Sequence, residues 1–286
     1  MKFLTRTSLT MGNKNKKNRL SILTFNTLGT PFFAPDITKR YRKIGQLINE
    51  GEFDIVCLQE IFTYYHLLII QKKLNNFPYV CYEKNPFGPR GGLVIFSKLP
   101  LSNKNFATYT FPKNIKIPFY TKIAQNGILN ALIQPLSIRI FTTHLTSDVV
   151  HDLSPKDKYY SLIRNQSQEA AEEINRYTKK NELLILTGDF NIAKHSSLYR
   201  EFLERSQLYD VFKDINNPTY STNRIPYFYV AKLADSIDNI FISCPVKFKP
   251  IIVEQIFSEQ ATLSGGKKSY LSDHVALHCI LEINEK

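Results

Sequence analysis

Short apolar runs that stop on a polar residue recur along this chain, and they constrain its fold more than any other feature. The run 20–25 stops at Asn26, 54–58 at Gln59-Glu60, 138–143 at His144, and 183–186 leads into Gly188-Asp189-Phe190-Asn191. A last run, 275–281, starts just after Ser272-Asp273-His274. Runs of this length bounded by such residues read as strands. Further strands are expected over 79–82, 93–96, 128–133, 240–243 and 251–253. Between 37 and 49 the residues Ile37, Tyr41, Ile44, Leu47 and Ile48 instead recur at helical spacing, with Asp36 as the expected N-cap. Helices are also expected over 63–74, 156–177 and 198–205. Strands outnumber helices, and helices fall between pairs of strands, which predicts a layered α/β fold rather than a bundle. No repeat, linker or composition break intervenes. The reading is one domain over 20–286, preceded by a basic, flexible tail over 1–19 with Lys14, Lys16, Lys17 and Arg19.

With 43% hydrophobic and 22% charged residues, the composition is that of a folded chain and not of a disordered one. No apolar run approaches the roughly 18 residues of a membrane span. The first twenty residues lack the apolar core and cleavage site of a secretory signal. Cys57, Cys81, Cys244 and Cys279 are widely spaced, which excludes a zinc knuckle or disulfide scaffold and points to thiols in a reducing compartment. The expectation is a cytoplasmic monomer, with export by a signal-independent route as the open alternative. The net charge of +12 suits a polyanionic or acidic-surface partner, yet no basic stripe at helical spacing accompanies it.

The chemistry lies in the strand-end residues. Side chains at the ends of neighbouring strands converge on one rim of a sheet, where open α/β folds place their sites. The pooled set is Asn26, Glu60, His144, Asp189, Asn191, Asp273 and His274, with Asp238 in the apolar setting Ser236-Ile237-Asp238-Asn239-Ile240. Oxygen donors without thiolates suit a hard cation, Mg²⁺ or Mn²⁺. Histidines beside several carboxylates can activate water and meet an oxyanion, a combination that fits metal-assisted phosphoester hydrolysis. Taken singly, an Asn or Asp after a strand is an ordinary turn residue. Five such coincidences in one chain are not ordinary.

Phe25-Asn26, Gln59-Glu60, Thr143-His144-Leu145, Gly188-Asp189-Phe190-Asn191, Ile237-Asp238 and Ser272-Asp273-His274 occur in the order of the endonuclease/exonuclease/phosphatase (DNase I-like) superfamily, which the chain resembles from about Leu20 to Leu281. The resemblance implies a four-layer α/β sandwich: two mixed β-sheets packed face to face with helices outside. It also implies that Glu60 holds the catalytic Mg²⁺, with Asn26 close by and Asp273 near the metal or phosphate. His274 would be the general base, oriented by Asp238. Asp189 and Asn191 would position water and phosphoryl oxygens, and His144 would act from the opposite side.

Within the superfamily, Phe25-Asn26-Thr27-Leu28-Gly29-Thr30-Pro31-Phe32 resembles the Asn-x-x-Gly-x-Pro-aromatic signature of the neutral sphingomyelinase-like branch. A basic helix with Lys39, Arg40 and Arg42 follows, and Gly91-Gly92 through Ser97-Lys98-Leu99-Pro100 is similar to that branch's Gly-rich segment. The chain departs from the branch in having Leu28 in place of Trp, Asn126-Gly127 in place of Lys-Gly, and Asn239 after Asp238. No expected metal or histidine position is substituted, which argues against a degenerate binding module. The resemblance implies a Mg²⁺-dependent phosphodiesterase acting on a phospholipid, with DNA or RNA cleavage by the same site as the alternative. The aromatics of Phe111 to Tyr120 and Ile225 to Tyr229 are expected to fill the edges of the sandwich core, with membrane contact as the alternative if they prove exposed and rimmed by Lys113, Lys116 and Lys122.

Overall fold

Parallel strands need a crossover between them, and the two longest helices among the described residues supply one each. The computed structural model describes residues 18–111, 119–147, 154–157, 159–178, 180, 182–225 and 233–284. The first elements are β1 (Arg19–Asn26), α1 (Ile37–Glu50), β2 (Ile55–Gln59), α2 (Tyr64–Gln71), β3 (Tyr79–Cys81), β4 (Val94–Ser97) and β5 (Leu101–Thr108). There follow α3 (Phe119–Ala124), β6 (Gly127–Ile133), β7 (Ile138–His144), α4 (Tyr160–Thr178), β8 (Leu183–Asp189), α5 (Ser197–Ser206) and β9 (Tyr209–Asp210). The last are β10 (Tyr220–Ser221), β11 (Ala234–Asp235), β12 (Asp238–Ile242), β13 (Phe248–Ile256), β14 (Ala261–Thr262), β15 (Lys268–Ser269) and β16 (Ala276–Ile283).

Two six-stranded sheets result, ordered β13-β16-β1-β2-β4-β3 and β5-β6-β7-β8-β12-β9. Each holds one parallel pair, β1 with β2 through α1 and β7 with β8 through α4, among antiparallel neighbours. Helix α1 buries Ile37, Tyr41, Ile44 and Ile48 against Leu23, Phe25, Val56 and Leu58 on the outer face of the first sheet. Helix α4 buries Ile163, Ala170, Ala171 and Ile174 against Phe141, Leu184, Leu186 and Phe241 on the outer face of the second. Between the sheets lie Leu20, Ile22, Ile55, Cys57, Ile138, Ile140, Ile185, Ile240 and Ile242. The order helix, sheet, sheet, helix is the expected four-layer sandwich.

The period of two along a strand then places the polar ends. Continuing the inward rows gives Asn26 after Leu20 and Ile22, Gln59 after Ile55 and Cys57, and His144 after Ile138 and Ile140. Asp189 follows Ile185, and Asp238 precedes Ile240. The register sets Asn26 beside Gln59, and Asp189 beside both His144 and Asp238. The hydrocarbon core therefore runs into a polar cluster at one end of the space between the sheets. Gln59 closes the boundary, donating from Nε2 to Thr24 Oγ1 and, across the sheets, to Thr142 Oγ1, both at 3.0 Å.

Several local expectations are corrected. Asp36 does not cap α1: at φ 49° its side chain makes no cap bond, and its carboxylate pairs with Lys267 at 2.6 Å and Lys39 at 3.7 Å. Thr63 does cap α2, accepting from His66 N at 3.1 Å, but that helix ends at Gln71. Helix α4 starts at Tyr160, later than 156. Strand β5 was not anticipated. Residues 112–118 and 226–232, most of the two aromatic segments read as core edges or membrane contacts, lie outside the described residues, as do 1–17 of the basic tail. Among the described residues no helix is long and apolar enough to cross a membrane.

Candidate functional site

The eight residues singled out in the sequence form one connected cluster. Asn26, at the end of β1, donates through Nδ2 to Glu60 Oε1 at 3.1 Å and to Asp189 Oδ2 at 2.9 Å. That same Asp189 oxygen lies 3.6 Å from His144 Nε2 and 3.7 Å from His274 Nε2. His274 Nδ1 is 2.8 Å from Asp238 Oδ2, and its Nε2 is 3.9 Å from Asp273 Oδ1. Asn191 joins from the loop after β8, its backbone N–H donating to Asp189 Oδ1 at 2.9 Å and its Nδ2 to Leu145 O at 3.0 Å. The Asn191 amide thus braces Asp189 and the chain just after His144. Seven of the eight are buried, and Glu60 is half-buried.

Glu60 is held by the chain around it. It has a left-handed φ of 66° just past β2, and its Oε2 accepts from Gly29 N at 3.0 Å and Thr30 Oγ1 at 3.1 Å. A Cβ on Gly29 would fall 1.9 Å from Glu60 O, so only glycine permits this approach. Gly92, at φ 68°, passes so close that a Cβ there would lie 3.0 Å from Glu60 Cα. These two glycines give the Asn-x-x-Gly-x-Pro and Gly-Gly segments a common purpose.

Burial and like charge decide the electrostatics. The Asp189 carboxyl is pushed up, first by burial and then by the Asp238 charge, against the opposing pull of His274, His144 and the Asn26 amide. Burial disfavours an imidazolium at His274, yet Asp238, Asp189 and Asp273 outweigh it and raise its pKa well above the ordinary value. His144 Nδ1 is buried without a hydrogen-bond partner among the described residues. Asp189, Asp238 and His274 offer ligand atoms that all lie within 4.8 Å of one another, a group able to hold a metal ion.

Sequence reasoning missed the residues that hold this cluster in place. Arg40, expected on a basic helix face, is fully buried. Its guanidinium donates to the carbonyls of Pro35, Thr27, Leu28 and Leu271, tying the Gly29-Thr30 turn to the segment that carries Asp273 and His274. Thr219 Oγ1 accepts from Ile237 N and Asp238 N, and its carbonyl accepts from Val275 N, so it spans from β12 to the His274 turn. Tyr220 packs its ring on His274 at 5.0 Å between centroids. Gln166 of α4 accepts from Thr146 N at 2.9 Å and so fixes the chain beyond His144. The only hint of Arg40's role was an arginine on the apolar side of an amphipathic helix, one residue from Tyr41.

The endonuclease/exonuclease/phosphatase family model matches residues 23–274, from β1 to His274. Human sphingomyelin phosphodiesterase 2 is 26% identical over 179 residues, 61% of this chain but only 41% of that protein, so the chain spans less than half the length of this relative. Sphingomyelinase C from Streptomyces griseocarneus superposes with a TM-score of 0.65 at 18% identity, covering 93% of this chain and 99% of that one. TDP2 from D. rerio, solved with a single-strand DNA product, superposes with a TM-score of 0.66 at 15% identity, covering 92% and 98%. At these identities the two structures speak for the fold alone, and it is the fold described above. The family match covers every residue of the cluster, and the chain belongs to the Endonuclease/Exonuclease/phosphatase family.

Proposed function

We propose that this chain is a metal-dependent phosphodiester hydrolase whose substrate is a sphingomyelin-like phospholipid. The observation that carries the chemistry is the buried His274–Asp238 pair at 2.8 Å, with His274 Nε2 turned toward Asp189. Asp238 accepts the hydrogen bond of the Nδ1–H and fixes the tautomer, which leaves Nε2 to take a proton from water. Asp189 Oδ2, between the two imidazoles, orients that water. His144 faces the site from β7 and donates to the phosphoryl oxygen or the leaving group.

The residues fit a divalent cation. Glu60 and Asp273 would supply carboxylate oxygens and Asn26, whose Oδ1 also accepts from Leu28 N at 3.0 Å, an amide oxygen, next to the Asp189, Asp238 and His274 group, and this thiolate-free set suits Mg²⁺ or Mn²⁺. The Asp189 carboxyl, raised first by burial and then by the Asp238 charge, lies beside a second buried carboxylate, and a cation there would favour the charged form of both. When bound, such an ion supplies polarisation of the phosphoryl oxygen and stabilisation of the departing alkoxide.

Support for a lipid substrate comes from the likeness to human sphingomyelin phosphodiesterase 2 and from the branch signature around Gly29. The net charge of +12 favours a second reading, cleavage of a nucleic acid by the same residues. Release of phosphocholine from sphingomyelin in detergent micelles, with Mg²⁺ and with EDTA, separates the two. Metal-dependent release supports the lipid reading. Nicking of plasmid DNA without phosphocholine release transfers the site to the nuclease reading, and failure on both substrates removes the proposal.

A further inference from the structure

Helix α2, Tyr64-Tyr65-His66-Leu67-Leu68-Ile69-Ile70-Gln71, carries no charged residue although it lies on the outside of the sandwich. Its inner face is accounted for, since Leu67 and Ile70 are buried in the outer core of the first sheet. Its outer face is not: Tyr65 is 62% and Leu68 54% exposed, one turn apart. A surface helix of a water-soluble layer would carry polar residues there.

The turn between β1 and α1 continues this face. Phe32 is 101% exposed and Phe33 56%, and a groove of about 530 Å³ has Pro31, Phe32, Ile37 and Tyr65 among its lining residues. Phe32 is not on a slack loop. Arg40 holds the carbonyls of Thr27, Leu28 and Pro35 on both sides of the turn, and Phe32 itself sits at φ 67°. A rigid turn that presents a phenylalanine to water is costly unless something else covers the ring.

The surrounding charges identify the partner. Lys39 and Arg42 line the same groove, and exposed Lys72 and Lys73 follow α2 directly. The one carboxylate lining the groove among the described residues, Asp36, is paired with Lys267 and Lys39. An apolar face with aromatic side chains, rimmed by more cations than its one carboxylate opposes, matches the boundary of an anionic bilayer, where rings enter the interface and cations meet the headgroups.

We propose that α2 and the β1–α1 turn dock this chain on an anionic lipid surface, with Phe32, Tyr65 and Leu68 entering the interface and Lys39 and Arg42 meeting the headgroups. This deepens the lipid reading above and rests on it for its purpose. Gly29 and Thr30 of the same turn hold Glu60, so docking brings the phosphodiester site to headgroup level.

The test is co-sedimentation of the full chain with phosphatidylcholine vesicles, with and without phosphatidylserine. Binding is expected only with phosphatidylserine. Phe32→Ser and Tyr65→Ser should each weaken it about tenfold, the loss of most of one ring's interfacial burial. The pair Lys39→Gln and Arg42→Gln should weaken it by at least about tenfold, and added salt should do the same. Circular dichroism of the serine variants should match the wild type, so that lost binding is not lost folding. If the variants sediment with vesicles as the wild type does, or if the face instead mediates self-association or single-stranded DNA binding, the docking proposal is overturned. If the variants lose vesicle binding while the wild type releases no phosphocholine from micelles, docking stands and the sphingomyelin reading falls.

Discussion

Asn26 and Asp189 lie 163 residues apart in sequence and on different sheets, yet the amide Nδ2 of one donates to Oδ2 of the other at 2.9 Å. The same amide donates to Glu60, so one side chain fixes the separation between the residue assigned to the metal and the residue assigned to the water. Both strands end here because each belongs to a parallel pair whose carboxyl end opens on the same rim. Replacing Asn26 by Ala should therefore lower kcat by about 10² to 10³, the usual cost of losing a preorganised donor. The thermal midpoint should fall as well, because the buried Asp189 carboxylate loses a donor, a cost of about 1–3 kcal/mol. Steady-state kinetics on the substrate that turns over, paired with calorimetry, checks both halves.

Asp238→Asn keeps the shape of the His274 partner and reverses its hydrogen-bonding sense. The imidazole then loses its fixed tautomer, and kcat should fall by about 10³ to 10⁴ with KM nearly unchanged. A proportional loss in KM alone would mean that Asp238 serves binding rather than the base.

His274 should also report the cation. Burial opposes its charged form, but Asp238, Asp189 and Asp273 raise its pKa above the ordinary 6.5 and so favour the protonated ring when no metal is bound. A divalent cation among these carboxylates offsets their field and should lower the midpoint, freeing Nε2 as a base. Titration of the His274 ring by NMR, with and without Mg²⁺, should show that downward shift. An unchanged or higher midpoint would argue against a cation beside this histidine.

Arg40 donates to four backbone carbonyls from a fully buried position. Arg40→Met would leave these acceptors without their donor and should cost on the order of 4 kcal/mol in urea unfolding. Arg40→Lys should recover little, because one ammonium cannot reproduce the planar fork of donors.

Acid stability has a separate source. Glu201 accepts from Arg164 at 2.8 Å, Gln168 at 2.8 Å and Arg205 at 3.1 Å, and the Arg164 bond leads in pulling its carboxyl down to about 2. Because the folded value is depressed, the charged form contributes stability above the ordinary value of 4.5 and loses it as pH falls toward 2. Glu201→Gln should be less stable than the wild type at neutral pH, with the gap closing through that window. The arginines are half exposed, so salt should narrow the gap as well.

The candidate site was legible because strand periodicity does two jobs at once. The alternation that buries Ile138 and Ile140 must also turn His144 inward, and the same holds for Asn26 and Asp189. Strand β5 was not legible: it is an edge strand, largely exposed and broken by a bulge between Ser102 and Asn105, so no apolar alternation marks it. Asp36 read as a cap because residue type alone suggests one, whereas its left-handed φ and the distant Lys267 decide its role. Arg40, Thr219 and Tyr220 act through contacts between segments far apart in sequence, which local pattern does not encode.

The most direct test of the account is turnover by wild type and His274→Ala, measured on sphingomyelin micelles and on plasmid DNA, each with Mg²⁺ and with EDTA. Metal-dependent phosphocholine release is expected of the wild type and its loss in His274→Ala, with the variant still folded. Turnover that survives in His274→Ala would contradict the assignment of the base and, with it, the proposed mechanism.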